Sequence, residues 1–421
     1  MVLVPQTVTA NEDISWRCRL MLFKRFLHRS QLALLRFLVD FTPPVNYLAF
    51  AGAGSADQLC GHICQAGKTR VLVVTDKGLR DLGIVEKAIS GLRSRGIDIV
   101  LYDGVLPDPT FEQVLEGADI MRAHGSDAVL GVGGGSCMDA AKIIAAAATS
   151  NQDPRDWVGF NKIKHDVPQI FCIPTTSGTG AETTMGGVIK NSERREKIVI
   201  SDACLMPAAT ALDPNLSMGL PPAITAATGM DALTHAIEAY ISLWDRGTSK
   251  SSSSAAIDLI YRYLPLAYSD GDNKEARESM SLAAYYAGMA INQVNVGNVH
   301  AIAHQLGGRY GIPHGIANAM VLPHVLKFCS DETEEALAEL GRLVGLGSSG
   351  STAAELARDF IVSVSDLRNK IGIPSQSKLI KIYCKFFHIY WLIQNFNTYC
   401  ITIILSRYYM IKIDFLKIYY Y

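Results

Sequence analysis

Neither sign of charge is in surplus in this chain. Lys and Arg number 39 against 40 Asp and Glu in 421 residues, a formal net charge of −1. That balance removes the electrostatic case for a nucleic-acid or anionic-membrane partner. The nine cysteines contain no CxxC pair and no tightly spaced even set, so a disulfide framework is not expected and a reduced, intracellular protein is. A GxGxxG fingerprint is absent, which weakens a standard Rossmann reading. No secretory apolar segment with a clean cleavage site opens the chain. The length suggests two domains.

The two ends stand apart from the rest. Residues 377–421 lack Gly, Ala, Val, Pro and Glu, yet hold eight of the seventeen tyrosines. Their residue types share A- and T-rich codons, so a read-through or frame-shifted end is expected rather than a selected domain. The apolar runs KFFHIYWLI and CITIIL are each too short to span a bilayer, and QNFNTY divides them. Residues 1–45 carry Arg17, Arg19, Lys24, Arg25, Arg29 and Arg36 among apolar residues. A mitochondrial transit segment has that character, but Glu12 and Asp13 count against it. The expectation is an irregular extension on a cytoplasmic protein.

From Asn46 the pattern is orderly. KTRVLVVTDKGL, IDIVLYDGV and SDAVLGV read as buried strands, separated by helices such as GLRDLGIVEKAISGLRSRG and FEQVLEGADIMRAHG. Strands that are apolar without alternation imply a parallel sheet covered on both faces. QIFCIPTT, EKIVISD and ATALD read as further strands. From Pro221 onward no strand-like run appears up to about Ser375, so the second half is expected to be all helix.

Several stretches carry chemistry. Gly133, Gly134, Gly135 and Ser136 lie between strand SDAVLGV and the helix CMDAAKIIAAA. Glycines let a backbone approach closely, and a helix N-terminus presents unpaired N–H groups to a phosphate. Asp76 follows a strand, where a carboxylate can hold ribose hydroxyls and favour NAD over NADP; it can also be an ordinary helix cap. PTTSGTG, with Thr175, Thr176 and Thr179, is a polar loop after QIFCI, and Lys197 could lend a cation nearby. The stretch 221–327 holds five of the ten histidines. Asp231 and His235 are four apart on one predicted helix, as are His300 and His304 on another. His314 follows a short loop. One carboxylate and three imidazoles suit Fe(II), Zn or their neighbours better than Mg or Ca. His235, His300 and His314 are the expected partners of Asp231, with His304 one turn along and His324 structural.

These motifs together resemble the iron-containing (group III) alcohol dehydrogenase family. The strand–GGGS–helix run, PTTSGTGAE, DPNLSMGLP, TGMDALTHAIEAY and HAIAHQLGGRYGIPHGIANAMVLPHV carry the likeness from about Tyr47 to Ser375. The resemblance implies a Rossmann-like α/β dinucleotide-binding domain over 46–220 and an all-α metal-binding domain over 221–376, the architecture shared with dehydroquinate synthase-like proteins. It implies NAD-dependent hydride transfer between a short-chain primary alcohol or diol and its aldehyde, with Fe2+, or Zn2+ as alternative. It places metal ligands on Asp231, His235, His300 and His314. Nucleotide contacts fall on Asp76, Gly133, Gly134, Gly135, Ser136, Thr175, Thr176, Thr179, Val188 and Lys197, and on Asp108 where Asn is frequent. His304 matches a histidine near the reacting carbon, where it or a water–ribose chain could relay the proton. A homo-oligomer, dimer or larger, is also implied. Gln305 departs from a common Pro, and the tail replaces family helices that close the second domain. A Zn glycerol-dehydrogenase-type enzyme on the same scaffold and a catalytically impaired product are the alternatives.

Overall fold

A computed structural model of the chain describes residues 48–194, 196–244 and 247–375. The expected extension over 1–45 and the expected non-family tail over 377–421 lie outside the described residues. In the first half strands and helices alternate. β1 (Ala49–Ala51) leads to α1 (Ser55–Gln65), β2 (Arg70–Val74), the short α2 (Lys77–Asp81) and α3 (Ile84–Ser94). Then come β3 (Asp98–Tyr102), α4 (Phe111–His124), β4 (Ala128–Gly133) and α5 (Gly135–Ala148). β5 (Gly159–Phe160), β6 (Gln169–Pro174), β7 (Gly186–Asn191), β8 (Glu196–Ser201) and β9 (Ala209–Leu212) follow.

Six strands make one parallel sheet in the order β1-β9-β6-β4-β2-β3. Both faces of β2 are covered, which is why RVLVV needs no polar alternation. Leu72 and Val74 pack with Phe111, Val114 and Met121 of α4, while Val71 and Val73 pack with Leu59 of α1 and Ile89 of α3. The chain steps outward from β2 to β3, then returns to the other flank of β2 for β4. The loops leaving β2 and β4 therefore diverge, and such a reversal is where open α/β sheets collect ligands.

The sequence reading does not anticipate β1, β5 or β7. β7 pairs antiparallel with β8, and β5 pairs parallel with β8, to make a separate three-stranded sheet. β1 and β5 are too short to show a period, and β7 starts on two glycines, which blur a strand pattern.

After β9 every described α-helix or strand is helical: α6 (Pro222–Tyr240), α7 (Thr248–Ser269), α8 (Lys274–Val294), α9 (Asn298–Tyr310), α10 (His314–Phe328), α11 (Ser330–Leu343) and α12 (Ala353–Lys370). Pro222 opens α6 where a missing N–H loses no bond. α6 packs against α7, α8 and α10, so it is apolar almost all round. Its Met230, Leu233 and Ile237 share a core with Ile257 and Ile260 of α7 and Phe360 of α12. No described helix is long and apolar enough to cross a membrane.

Candidate metal and nucleotide site

α6 presents Asp231, His235 and Glu238 at intervals of four and three residues, all buried. α9 adds His300 and His304, and His314 is the first residue of α10. One ligand atom each from Asp231, His300 and His314 lies within 4.8 Å of the others. Asp231 Oδ1 is 3.6 Å from His300 Nε2 and 3.5 Å from His314 Nε2. His235 is outside that group of atoms. Its ring stacks on His300 with centroids 4.3 Å apart, and its Nδ1 is buried without a hydrogen-bond partner. His304 stands beside both rings, 6.2 Å from His300 and 5.1 Å from His314 between centroids. His324 is exposed on α10.

Two residues that the sequence reading misses hold this group together. Glu238 Oε2 accepts the Nδ1 proton of His300 at 2.6 Å. The same carboxylate takes the N–H groups of Gly297 at 2.9 Å and Val299 at 2.6 Å. It thus caps α9 and turns the His300 ring so that Nε2 faces Asp231, the usual job of a carboxylate behind a metal-binding imidazole. The signal was its place three residues after His235 on the same helix face. Asn318, four residues after His314, donates from Nδ2 to Asp231 Oδ1 at 2.6 Å. That nitrogen also lies 3.1 Å from His300 Nε2 and 3.3 Å from His314 Nε2.

The charges suit a cation. Burial works against ionised Asp231, but the imidazoles of His314, His235 and His300 hold its carboxyl well below the usual range. Burial pushes His235 and His314 down to about 4, so both stay neutral and can lend a lone pair. Burial also opposes charge on His300, yet Asp231 and Glu238 raise it to about 9. Two carboxylates therefore draw positive charge to this point. An ionised oxygen donor beside the neutral rings of His235 and His314, each with a buried Nδ1 that has no hydrogen-bond partner, fits a divalent transition cation.

Of the residues expected on the nucleotide side, Asp76, Gly133 to Ser136 and Thr175 to Thr179 follow β2, β4 and β6, while Asp108 follows β3 and Val188 and Lys197 lie on the smaller sheet. Gly133 has φ 150°, and a Cβ there would come 2.6 Å from Cys137 Sγ, so only glycine turns the chain into α5. A Cβ on Gly135 would meet the Thr179 side chain at 2.6 Å, so the glycine turn and the threonine loop abut. Thr175 N–H donates to the Gly133 carbonyl at 2.9 Å. Asp76 caps α2 by accepting from Leu79 N–H at 3.0 Å, and its other oxygen receives the Cys137 thiol at 3.6 Å. The position is that of an ordinary helix cap. Val188 N–H donates to Asp139 Oδ2 at 3.1 Å. Lys197 is paired with Asp108 at 2.6 Å and its side chain is only 6% exposed, so it is no solvated strand-edge lysine.

One cavity of about 240 Å³ joins the two sets. Gly135, Ser136, Thr179, Val188, Asp108 and Lys197 line it together with Asp231, His235, His300, His304 and His314. Asp76, Gly133, Gly134, Thr175 and Thr176 are not in its lining: Asp76 lies on the β2 side of the glycine turn, beside Cys137, and Thr175 and Thr176 on its β6 side.

Comparison with known proteins agrees with this geometry. Residues 48–214 match the description of iron-containing alcohol dehydrogenase, and residues 225–382 that of the Fe-containing alcohol dehydrogenase family, C-terminal. 1,3-Propanediol dehydrogenase of Klebsiella pneumoniae is 41% identical over 335 residues, 79% of this chain and 86% of that protein. NAD-dependent methanol dehydrogenase of Bacillus methanolicus is 37% identical, over 80% of this chain and 87% of its own. The crystal structure of a 1,3-propanediol oxidoreductase superposes with a TM-score of 0.76 at 40% identity, covering 79% of this chain and 88% of the other. With a family description matching on each side of the sheet-to-helix transition, and relatives this similar over most of their length, the chain belongs to the iron-containing alcohol dehydrogenase family.

Proposed function

We propose that this oxidoreductase interconverts a short primary alcohol or diol and its aldehyde with NAD, using Fe2+, or Zn2+ in its place, held by Asp231, His300 and His314 with His235 as fourth donor. The observation that carries the reading is the shared cavity, which runs from Gly135 and Ser136 to Asp231, His300 and His314. Bound there, the cation supplies Lewis acidity toward an alcohol oxygen and the nicotinamide supplies a hydride acceptor.

The chain's own residues do the rest. The N–H groups at the start of α5, at Gly135 and Ser136, would hold a diphosphate, with the positive end of the helix dipole behind them. Glu238 keeps His300 in one orientation. His304 lines the cavity beside His300 and His314, within reach of a proton relay there, and burial and the neighbouring imidazoles keep its ring neutral. Phe160, Ile291 and Val296 form apolar wall, which excludes water and favours a small substrate. We place the division between the two halves near Leu220, between β9 and α6.

The test is NADH formation from ethanol, 1-butanol, 1,2-propanediol and glycerol, using protein loaded with Fe(II) and protein stripped by a chelator. The loaded form is expected to reduce NAD, and stripping is expected to abolish it. Full activity in a sample shown to be metal-free would overturn the reading.

A further inference from the structure

Asn318 is fully buried on α10, between Ala317 and Ala319, where the other buried side chains of the helix are apolar. Four residues after His314, it shares that residue's helix face. Its Nδ2 stands 2.6 Å from Asp231 Oδ1, 3.1 Å from His300 Nε2 and 3.3 Å from His314 Nε2, the three candidate ligand atoms. The other end of the amide, Oδ1, is buried with no hydrogen-bond partner. A desolvated acceptor without a donor is costly, and such an atom calls for an explanation. Asp231 decides which end of the amide faces the group. An ionised carboxylate takes only donors, so the NH2 end is drawn to it and the oxygen is turned away. A divalent cation reverses that preference. It takes the same lone pairs of Asp231, His300 and His314, and an amide NH2 group has only protons to offer it.

We infer that Asn318 is a further ligand of the metal centre: its carboxamide turns over as the cation enters, and Oδ1 binds the cation. The inference rests on the metal binding proposed above and adds an oxygen donor to it. Neighbouring donors held about 2.0–2.2 Å from one cation stand about 3 Å apart. The amide nitrogen already keeps that spacing from all three partners, so a half-turn of the carboxamide brings Oδ1 to a ligand's place. The turn breaks no bond of Oδ1, which makes none, and the bond that Nδ2 gives up on Asp231 is replaced by the cation's own. The amide thus has two settings, nitrogen toward the carboxylate or oxygen toward the cation.

The experiment titrates the full-length chain, Asn318→Ala and Asn318→Asp with Zn(II) against a chromogenic chelator. Asn318→Ala is expected to weaken binding about tenfold or more. Asn318→Asp, whose carboxylate can ligate but cannot donate, is expected to bind at least as tightly as the wild type. Weaker binding in both variants overturns the inference, because Asn318 then acts only by donating to Asp231. Tighter binding by Asn318→Ala also overturns it, because the amide then only competes with the cation, and so does unchanged binding. A crystal structure of the Zn(II)-loaded wild type gives the same decision without a substitution. Oδ1 is expected about 2.0–2.2 Å from the ion; a carboxamide whose nitrogen still faces Asp231 overturns the inference. Failure of the underlying reading shows differently: the wild type itself takes up no Zn(II), and the assignment of Asn318 falls with it.

Discussion

Glu238 shows how a single side chain can shape a candidate metal site without lying among its candidate ligand atoms. Its carboxylate is shared between the His300 ring and the first turn of α9. Glu238→Gln keeps the shape and one oxygen but removes the charge and places an NH2 group among groups that are themselves donors. Cation affinity is expected to drop about 10- to 100-fold, read by competitive titration with a chromogenic chelator. Exposed His324 provides the contrast: His324→Ala is expected to leave that affinity within the error of the titration.

At the scale of elements, Lys142 fastens α5, the helix that follows the glycine turn. Lys142 is fully buried, and its Nζ donates to the carbonyls of Ala181 at 2.6 Å, Thr184 at 2.7 Å and Gly186 at 2.8 Å, and to Thr184 Oγ1 at 3.0 Å. The helix that begins at the glycine turn is thereby tied to the loop after the threonine motif. Lys142→Met leaves those carbonyls without donors and is expected to lose about 3 kcal/mol or more, measured by denaturant unfolding, with weaker NAD binding. Glu182, in the same loop, is pushed up to about 7 by burial. A folded carboxyl above its unfolded value keeps a proton that the unfolded chain has released, so stability falls as pH rises from about 4.5 to about 7. Glu182→Gln is expected to remove up to about 3 kcal/mol of that decline, seen as the difference between the two stability-versus-pH curves.

At the scale of the molecule, the cavity wall is shared between the two sheets' loops and the helices α6, α8, α9 and α10. Ligands that bind only the folded chain raise its stability by mass action. NAD and the cation, each at one hundred times its dissociation constant, are expected to contribute about 2.7 kcal/mol apiece. Calorimetric scans with each alone and both together check this. Asp231→Asn is expected to abolish the increment from the cation and to leave that from NAD largely intact.

Much of this was legible in the chain itself. β2, β4 and β6 read as strands because burial on both faces requires apolar residues in sequence, and α6 read as a helix because Asp231 and His235 sit on a 3.6-residue period among small apolar residues. The histidine and aspartate set, the glycine turn and the threonine loop were also visible, since each depends on residue type at short spacing. β1, β5 and β7 were not, because two- and three-residue strands and a Gly-Gly start carry no period. The Lys197–Asp108 pair, the Glu238–His300 bond and the four bonds of Lys142 join residues between 39 and 89 positions apart, or emerge from loops whose course no local pattern dictates. Local composition determined the elements and the kinds of ligand atom, because those follow from periodicity and side-chain chemistry. Which buried polar groups meet, and which are left facing the cavity, was decided only when the sheet loops and helices closed on one another, since desolvation forces each such group to find a partner across the fold.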